Sequence, residues 1–195
     1  KQFRFENKIV CLYAGKFGGI YLTKEVFDFF RSCEIFWGDR FRVLLLTSHN
    51  RKQIGQWCKN SMVDEKKLII RFVPHVDIAD YMGLGDFAVT PVKPIPTKRY
   101  CTPIKDGEYW AMGLPVVIPE NISDDSELIK NNNAGAVIHQ FDDQNYSQAI
   151  EVINNLLCQP HPELLNKRIR DLAIQYRNYN IARSVYAKVY SEELK

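Results

Sequence analysis

The segment Thr102-Pro103-Ile104-Lys105-Asp106-Gly107-Glu108 sets residues that can hold an anion beside one that can hold a diol. Thr102 is a good helix N-cap, and Pro103 suits the first helical position because it has no N–H to leave unpaired. The N–H groups of Ile104, Lys105 and Asp106 then point out of the helix start, where the positive end of the dipole favours negative charge. Lys93, Lys98, Arg99 and Lys105 surround this point, against Asp106 as the one nearby acid. Such a local excess of cations suits a diphosphate. Glu108 lies one turn inward and leans back toward the helix start, because helical side chains tilt toward the N-terminus. A carboxylate there repels phosphate, but it can accept hydrogen bonds from two vicinal hydroxyls, as on a ribose. The alternative is a surface ion pair from Glu108 to Lys105, three residues back, worth about 0.2–0.5 kcal/mol.

The elements that must position these residues alternate between strand and helix. Ile9–Tyr13, Arg42–Thr47, Leu68–Val73, Phe87–Thr90, Pro115–Ile118 and Ala136–Ile138 are short apolar runs that read as strands covered on both faces. Helices are expected through Val26–Phe30, over Arg51–Met62, Ile78–Leu84 and Pro103–Met112, and around Glu127–Asn131. From Tyr146 to Tyr190 the pattern is all helical. Prolines at 91, 94, 96 and 103 keep the approach to the anion site extended. The alternation predicts an α/β fold: a Rossmann-like, mainly parallel sheet of about six strands with helices on both faces. Ligands on such sheets bind outside the carboxyl ends of the strands.

Composition narrows the field. At 195 residues, 46% hydrophobic and 25% charged, the chain has the balance of one soluble globular domain spanning 1–195. A net charge of +3 gives no case for a nucleic-acid partner. Cys11, Cys33, Cys58, Cys101 and Cys158 are scattered and never paired as C-x-x-C, which argues for reduced thiols in a cytoplasmic protein. The four histidines lack ligand spacing and there is no Asp-x-Asp motif, so neither a metal nor another cofactor is expected. No apolar run approaches the ~20 residues that span a bilayer. The opening Lys1-Gln2-Phe3-Arg4 has neither an initiator Met nor a signal-peptide pattern, and is expected to continue from a longer protein.

The run Cys101 to Val117, with its Thr-Pro-x-Lys, then Glu-Tyr-x-Ala-x-Gly-x-Pro-Val, resembles the donor-site helix of retaining GT-B glycosyltransferases of family four. That resemblance implies two Rossmann-like domains facing across a cleft, the nucleotide-sugar being held by the C-terminal one. It implies that Glu108 binds the donor ribose, while Thr102, Pro103, Ile104 and Lys105 hold the diphosphate. Tyr13-Ala14-Gly15-Lys16-Phe17-Gly18-Gly19 is similar to the family's first strand and glycine turn, where a basic residue, here Lys16, reaches the phosphates. Gly18 and Gly19 would let the backbone approach the ligand, or simply make a tight strand-to-helix turn. His75 and Val76 fall at the base-binding turn, although a lone histidine after a strand is often a structural hydrogen-bonder. Ser126-Glu127-Leu128-Ile129 and Ala134-Gly135-Ala136-Val137 match the segments that follow.

The pattern also departs from the family. Tyr100 stands where many members carry the first of two glutamates, Ser123-Asp124-Asp125 replaces a Gly-Gly, and Tyr21 replaces a second basic residue. By resemblance the reaction is a hexosyl transfer in bacterial surface-polysaccharide assembly. Lys16 and Lys105 would stabilise the leaving group, and the N-terminal acceptor domain would lie outside the chain. The full-length protein could then associate peripherally with the inner face of the membrane. A GT-B-type UDP-sugar epimerase and a non-catalytic nucleotide-binding module are the competing readings. A nicotinamide dehydrogenase is disfavoured, since Gly15 and Gly18-Gly19 lack the G-x-G-x-x-G spacing and the second strand ends without an acid.

Overall fold

The continuous apolar runs become the inner strands, because a strand covered on both faces has no side to leave polar. The computed structural model describes residues 5–193, so the opening residues 1–4 lie outside the described part. The first half runs β1 (Ile9–Ala14), α1 (Lys24–Trp37), β2 (Phe41–Leu46), α2 (Arg51–Asn60), β3 (Leu68–Arg71) and α3 (Ile78–Met82). The second half runs β4 (Phe87–Val89), α4 (Ile104–Ala111), β5 (Val116–Pro119), α5 (Asp125–Asn131) and β6 (Gly135–Ile138). Three helices close the domain: α6 (Asp143–Leu157), α7 (Pro162–Tyr176) and α8 (Tyr179–Glu193).

All six strands are parallel, in the order β3-β2-β1-β4-β5-β6. This is the Rossmann-like α/β sheet read from the alternation, with the order reversing between β1 and β4. Val10 to Ala14 of β1 are fully buried at the centre. Phe27, Phe30 and Cys33 of α1, Ile54 of α2, Tyr109 and Trp110 of α4, and Ile150 and Ile153 of α6 are buried around the sheet. All five cysteines are free thiols, three of them buried in this core.

Several boundaries shift by a residue or two from the sequence reading, and two of the shifts have a physical cause visible in the fold. β3 stops at Arg71 rather than Val73, because its partner β2 ends at Leu46, which pairs with Arg71. Phe72 then turns out to solvent. The closing helical stretch breaks at Arg177-Asn178, which separates α7 from α8. The described side chains of α8 through Ser191 are exposed, including the stripe Ile181, Val185, Val189 and the stacked pair Tyr186 and Tyr190. Among the described residues no helix is long and apolar enough to cross a membrane.

Candidate nucleotide-sugar site

The reversal of strand order leaves a crevice at the carboxyl ends of β1 and β4, where neighbouring connections diverge. A cavity of about 430 Å³ opens there, lined by Tyr13 at the end of β1 and by Val89, Thr90 and Pro91 at the end of β4. Thr102, Pro103, Ile104, Lys105 and Glu108 line it from the start of α4, with His75 from the turn before α3. Six of the residues singled out from the sequence therefore meet in one cavity. A wider hollow of about 780 Å³ between α1 and α6 lies away from these strand ends and holds none of them.

The start of α4 differs in detail from the expected capping. Pro103, extended at φ −70° and ψ 116°, occupies the N-cap position itself, and its carbonyl accepts the Asp106 N–H at 3.2 Å. The Thr102 hydroxyl makes no cap bond; it lies 2.9 Å from Ser123 Oγ. Among the described residues the N–H groups of Ile104 and Lys105 have no acceptor in the chain. They face outward with roughly half a positive charge from the helix dipole. Gly113, at φ +78°, closes the helix in the left-handed region that glycine enters without penalty.

Asp106 is not part of the surface cluster around this tip. Its carboxyl is fully buried and takes a hydrogen bond from the Thr90 hydroxyl. Burial pushes it well above the usual carboxylate range, and the nearby Asp125 adds to the shift. Lys105 and Glu108 form the alternative ion pair at 3.7 Å, both about one-third exposed. So weak a pair opens at little cost when a stronger partner enters. Lys93, Lys98 and Arg99 do not line the cavity; of the four cations, Lys105 alone does so.

Lys16 lines a second opening of about 180 Å³ beside the first, with Thr47 and Ser48 after β2, Phe72 and Val73 after β3, and again Lys105. The two lysines thus share this opening, and Lys105 reaches both. The turn that carries Lys16 is held firmly. The Tyr13 hydroxyl donates to the Lys16 carbonyl, and His49 Nε2 accepts the Phe17 N–H at 2.9 Å. Gly15 makes room for the Tyr13 ring, since a Cβ there would sit 2.8 Å from its hydroxyl oxygen. Gly18 and Gly19 adopt φ +81° and +60°, as a tight turn requires, and line neither opening. Val76 is exposed and lines neither opening, unlike its neighbour His75.

Sequence reasoning missed the buried support beneath α4. Tyr109 Oη accepts the Ala14 N–H, and Arg177 Nη2 bonds Asp124 at 2.8 Å and Asp125 at 2.6 Å. The Arg177 guanidinium also lies 5.4 Å from the centre of the Trp110 ring. These partners are 52 to 95 residues apart in sequence, beyond the reach of any local pattern. Among the described residues no group of acids, histidines and cysteines is arranged to hold a metal ion.

A family model described as Glycosyl transferases group 1 matches residues 8–155. No curated protein sequence matches the chain. Among solved structures the chain is similar to Alr3699/HepE of Anabaena in complex with UDP and glucose. The TM-score is 0.74 at 16% identity, covering 96% of this chain and 49% of that one. It is similar to a glycosyltransferase from Rickettsia africae, with TM-score 0.70, 18% identity and coverage of 97% and 48%. It is similar too to WaaG, a glycosyltransferase involved in lipopolysaccharide biosynthesis, with TM-score 0.70, 17% identity and coverage of 92% and 46%. The chain spans about half the length of these structures. At such identities the likeness is one of fold, the Rossmann-like domain of GT-B glycosyltransferases. The family model covers most of the residues, and the chain belongs to the glycosyl transferases group 1 family.

Proposed function

We propose that this domain holds the nucleoside-diphosphate-sugar donor of a retaining glycosyltransferase. The observation that carries the reading is the meeting of Lys105, Glu108 and the unpaired N–H groups of Ile104 and Lys105 at the switch point of the sheet. The diphosphate sits on the tip of α4, bordered by Thr102 and Pro103, with Lys16 and Lys105 on its flank. Glu108 releases Lys105 and accepts the ribose hydroxyls. The base lies toward His75 and Val76, and Gly18 and Gly19 keep the turn above the phosphates thin.

Chemistry follows from charge placement. As the sugar leaves, negative charge grows on the diphosphate, where Lys16, Lys105 and the α4 dipole stabilise it more than in the ground state. This donor stabilisation needs no metal. The acceptor arrives from an N-terminal domain elsewhere in the same protein, against which the exposed stripe of α8 packs. The transferred sugar is a hexose, and the process is bacterial surface-polysaccharide assembly at the cytoplasmic face of the membrane. The UDP and glucose bound by the Anabaena neighbour make UDP the first nucleotide to try.

A thermal-shift panel of UDP, GDP, ADP and CMP tests the reading. Ligand at one hundred times its dissociation constant stabilises by about 2.7 kcal/mol, a visible rise in melting temperature. The isolated chain should bind without transferring sugar. Absence of a shift with all four nucleotides would remove the donor role, and turnover by the isolated chain would remove the need for a second domain.

A further inference from the structure

We propose that Arg177, which lines neither opening, is the positioning residue for the diphosphate end of the cleft, acting on the Thr102 turn through Asp124 and Ser123 and on α4 through Gly107 and Trp110. The proposal rests on the donor-site reading above and assigns a residue that reading does not use.

The first route is a hydrogen-bond chain. Arg177 Nη2 donates to Asp124 Oδ1 at 2.8 Å, and Ser123 Oγ donates to the same oxygen at 3.0 Å. Ser123 Oγ lies 2.9 Å from Thr102 Oγ1. A hydroxyl carries one proton, and that of Ser123 goes to the carboxylate, which can only accept. Thr102 must therefore be the donor in its bond to Ser123. Its proton is committed away from the cleft, which leaves anion contact at this turn to the N–H groups of Ile104 and Lys105. The chain runs unbroken from the α7–α8 junction to a residue that lines the cavity.

Ser123 gives independent support. It adopts φ +50°, a left-handed conformation that glycine enters more easily. Glycine would relieve the backbone but could not bridge Thr102 to Asp124. Strain retained at a polar bridge points to a role for the bridge. The Ser123 N–H also binds the Lys98 carbonyl at 3.0 Å, which ties the same turn to the segment before it.

The second route is direct packing. A Cβ on Gly107 would lie 3.0 Å from Arg177 Cβ and 3.2 Å from Cγ, so the arginine stem runs across α4 where that helix has no side chain. The guanidinium ends near the Trp110 ring and the buried Asp125, fixing α4 against the start of α5. Anchoring at the fourth and seventh residues of α4 leaves its first two N–H groups little freedom, which lowers the ordering cost of binding.

The test uses the 195-residue chain, with inorganic pyrophosphate as a base-independent probe followed by amide nuclear magnetic resonance. Arg177→Met should weaken pyrophosphate about ten-fold, with Arg177→Lys in between, because lysine keeps the charge but loses the fork to two carboxylates. Ser123→Gly should weaken it about three-fold while the melting temperature holds or rises, since backbone strain is relieved. A merely structural arginine predicts that affinity and melting temperature move together. Wild-type affinity in folded Ser123→Gly and Arg177→Lys overturns the proposal. If Arg177→Met does not fold, those two variants decide. If the wild-type chain binds neither pyrophosphate nor any nucleoside diphosphate, the donor reading falls. The ligand-free amide signals of Ile104 and Lys105 in Ser123→Gly then decide positioning alone: shifted signals sustain it, and unmoved ones overturn it.

Discussion

The N–H of Ala14, the last residue of β1, donates to the phenolic oxygen of Tyr109 on α4 at 3.0 Å, joining residues 95 apart in sequence. Both groups are buried, and the bond fixes α4 to the end of the central strand. Tyr109→Phe keeps the ring and removes the acceptor, stranding a buried N–H at a cost of about 1–3 kcal/mol. Urea unfolding should register that loss; a midpoint equal to wild type would mean that the N–H finds another acceptor.

Glu108 lies 3.7 Å from Lys105, and under the proposed donor role the ribose hydroxyls displace that contact. Glu108→Ala should weaken a bound nucleoside diphosphate by about 1–3 kcal/mol through its ribose hydrogen bonds. The 2′,3′-dideoxy analogue separates this from charge. Wild type should discriminate against it, and the variant should bind both nucleotides alike. Discrimination surviving in Glu108→Ala would place the ribose elsewhere.

Gly15→Ala sets a methyl group 2.8 Å from the Tyr13 hydroxyl oxygen and 3.0 Å from the ring carbon that bears it. The ring must move and lose its bond to the Lys16 carbonyl. Overpacking of this kind costs about 1–3 kcal/mol. The larger effect should be on nucleotide affinity, because Lys16 moves with the turn. Calorimetric titration of the folded variant measures it, and wild-type affinity would detach Lys16 from the site.

Asp125 provides the pH dependence. Burial raises its carboxyl from 3.8 to about 6, against the opposing pull of Arg177. The folded state therefore binds this proton more tightly than the unfolded chain. The stabilisation is complete below about pH 4 and is lost as pH rises through about 6. Asp125→Asn removes that dependence. The difference in melting temperature between wild type and variant should change between pH 4 and 6 and level off above 7; a constant difference across the window would refute the assignment.

The parts of this molecule that a local pattern can encode were readable. Apolar runs such as Ile9–Tyr13 announced the strands, and the Thr-Pro-x-Lys to Pro-Val segment located the α4 tip with Lys105 and Glu108. Capping was misassigned by one residue, because Thr102 and Pro103 both favour a helix start and only the Ser123 contact decides between them. Asp106 read only as the one acid among the cations at the helix start, since nothing nearby reveals that Thr90 waits beneath it. Arg177 gave no signal at all. Its partners come from α4 and α5, and a charged residue between two helices ordinarily faces water.

That distant return has a consequence for biosynthesis. A chain emerging from the ribosome completes β1 to β6 long before residue 177 appears, so the sheet can assemble while the acids at the start of α5 still lack their counter-ion. The brace of Arg177 beneath α4 is therefore added only after the sheet is complete. Released chains truncated before Arg177 should protect the sheet from protease yet need about ten-fold more nucleotide to gain further protection than the 195-residue chain does.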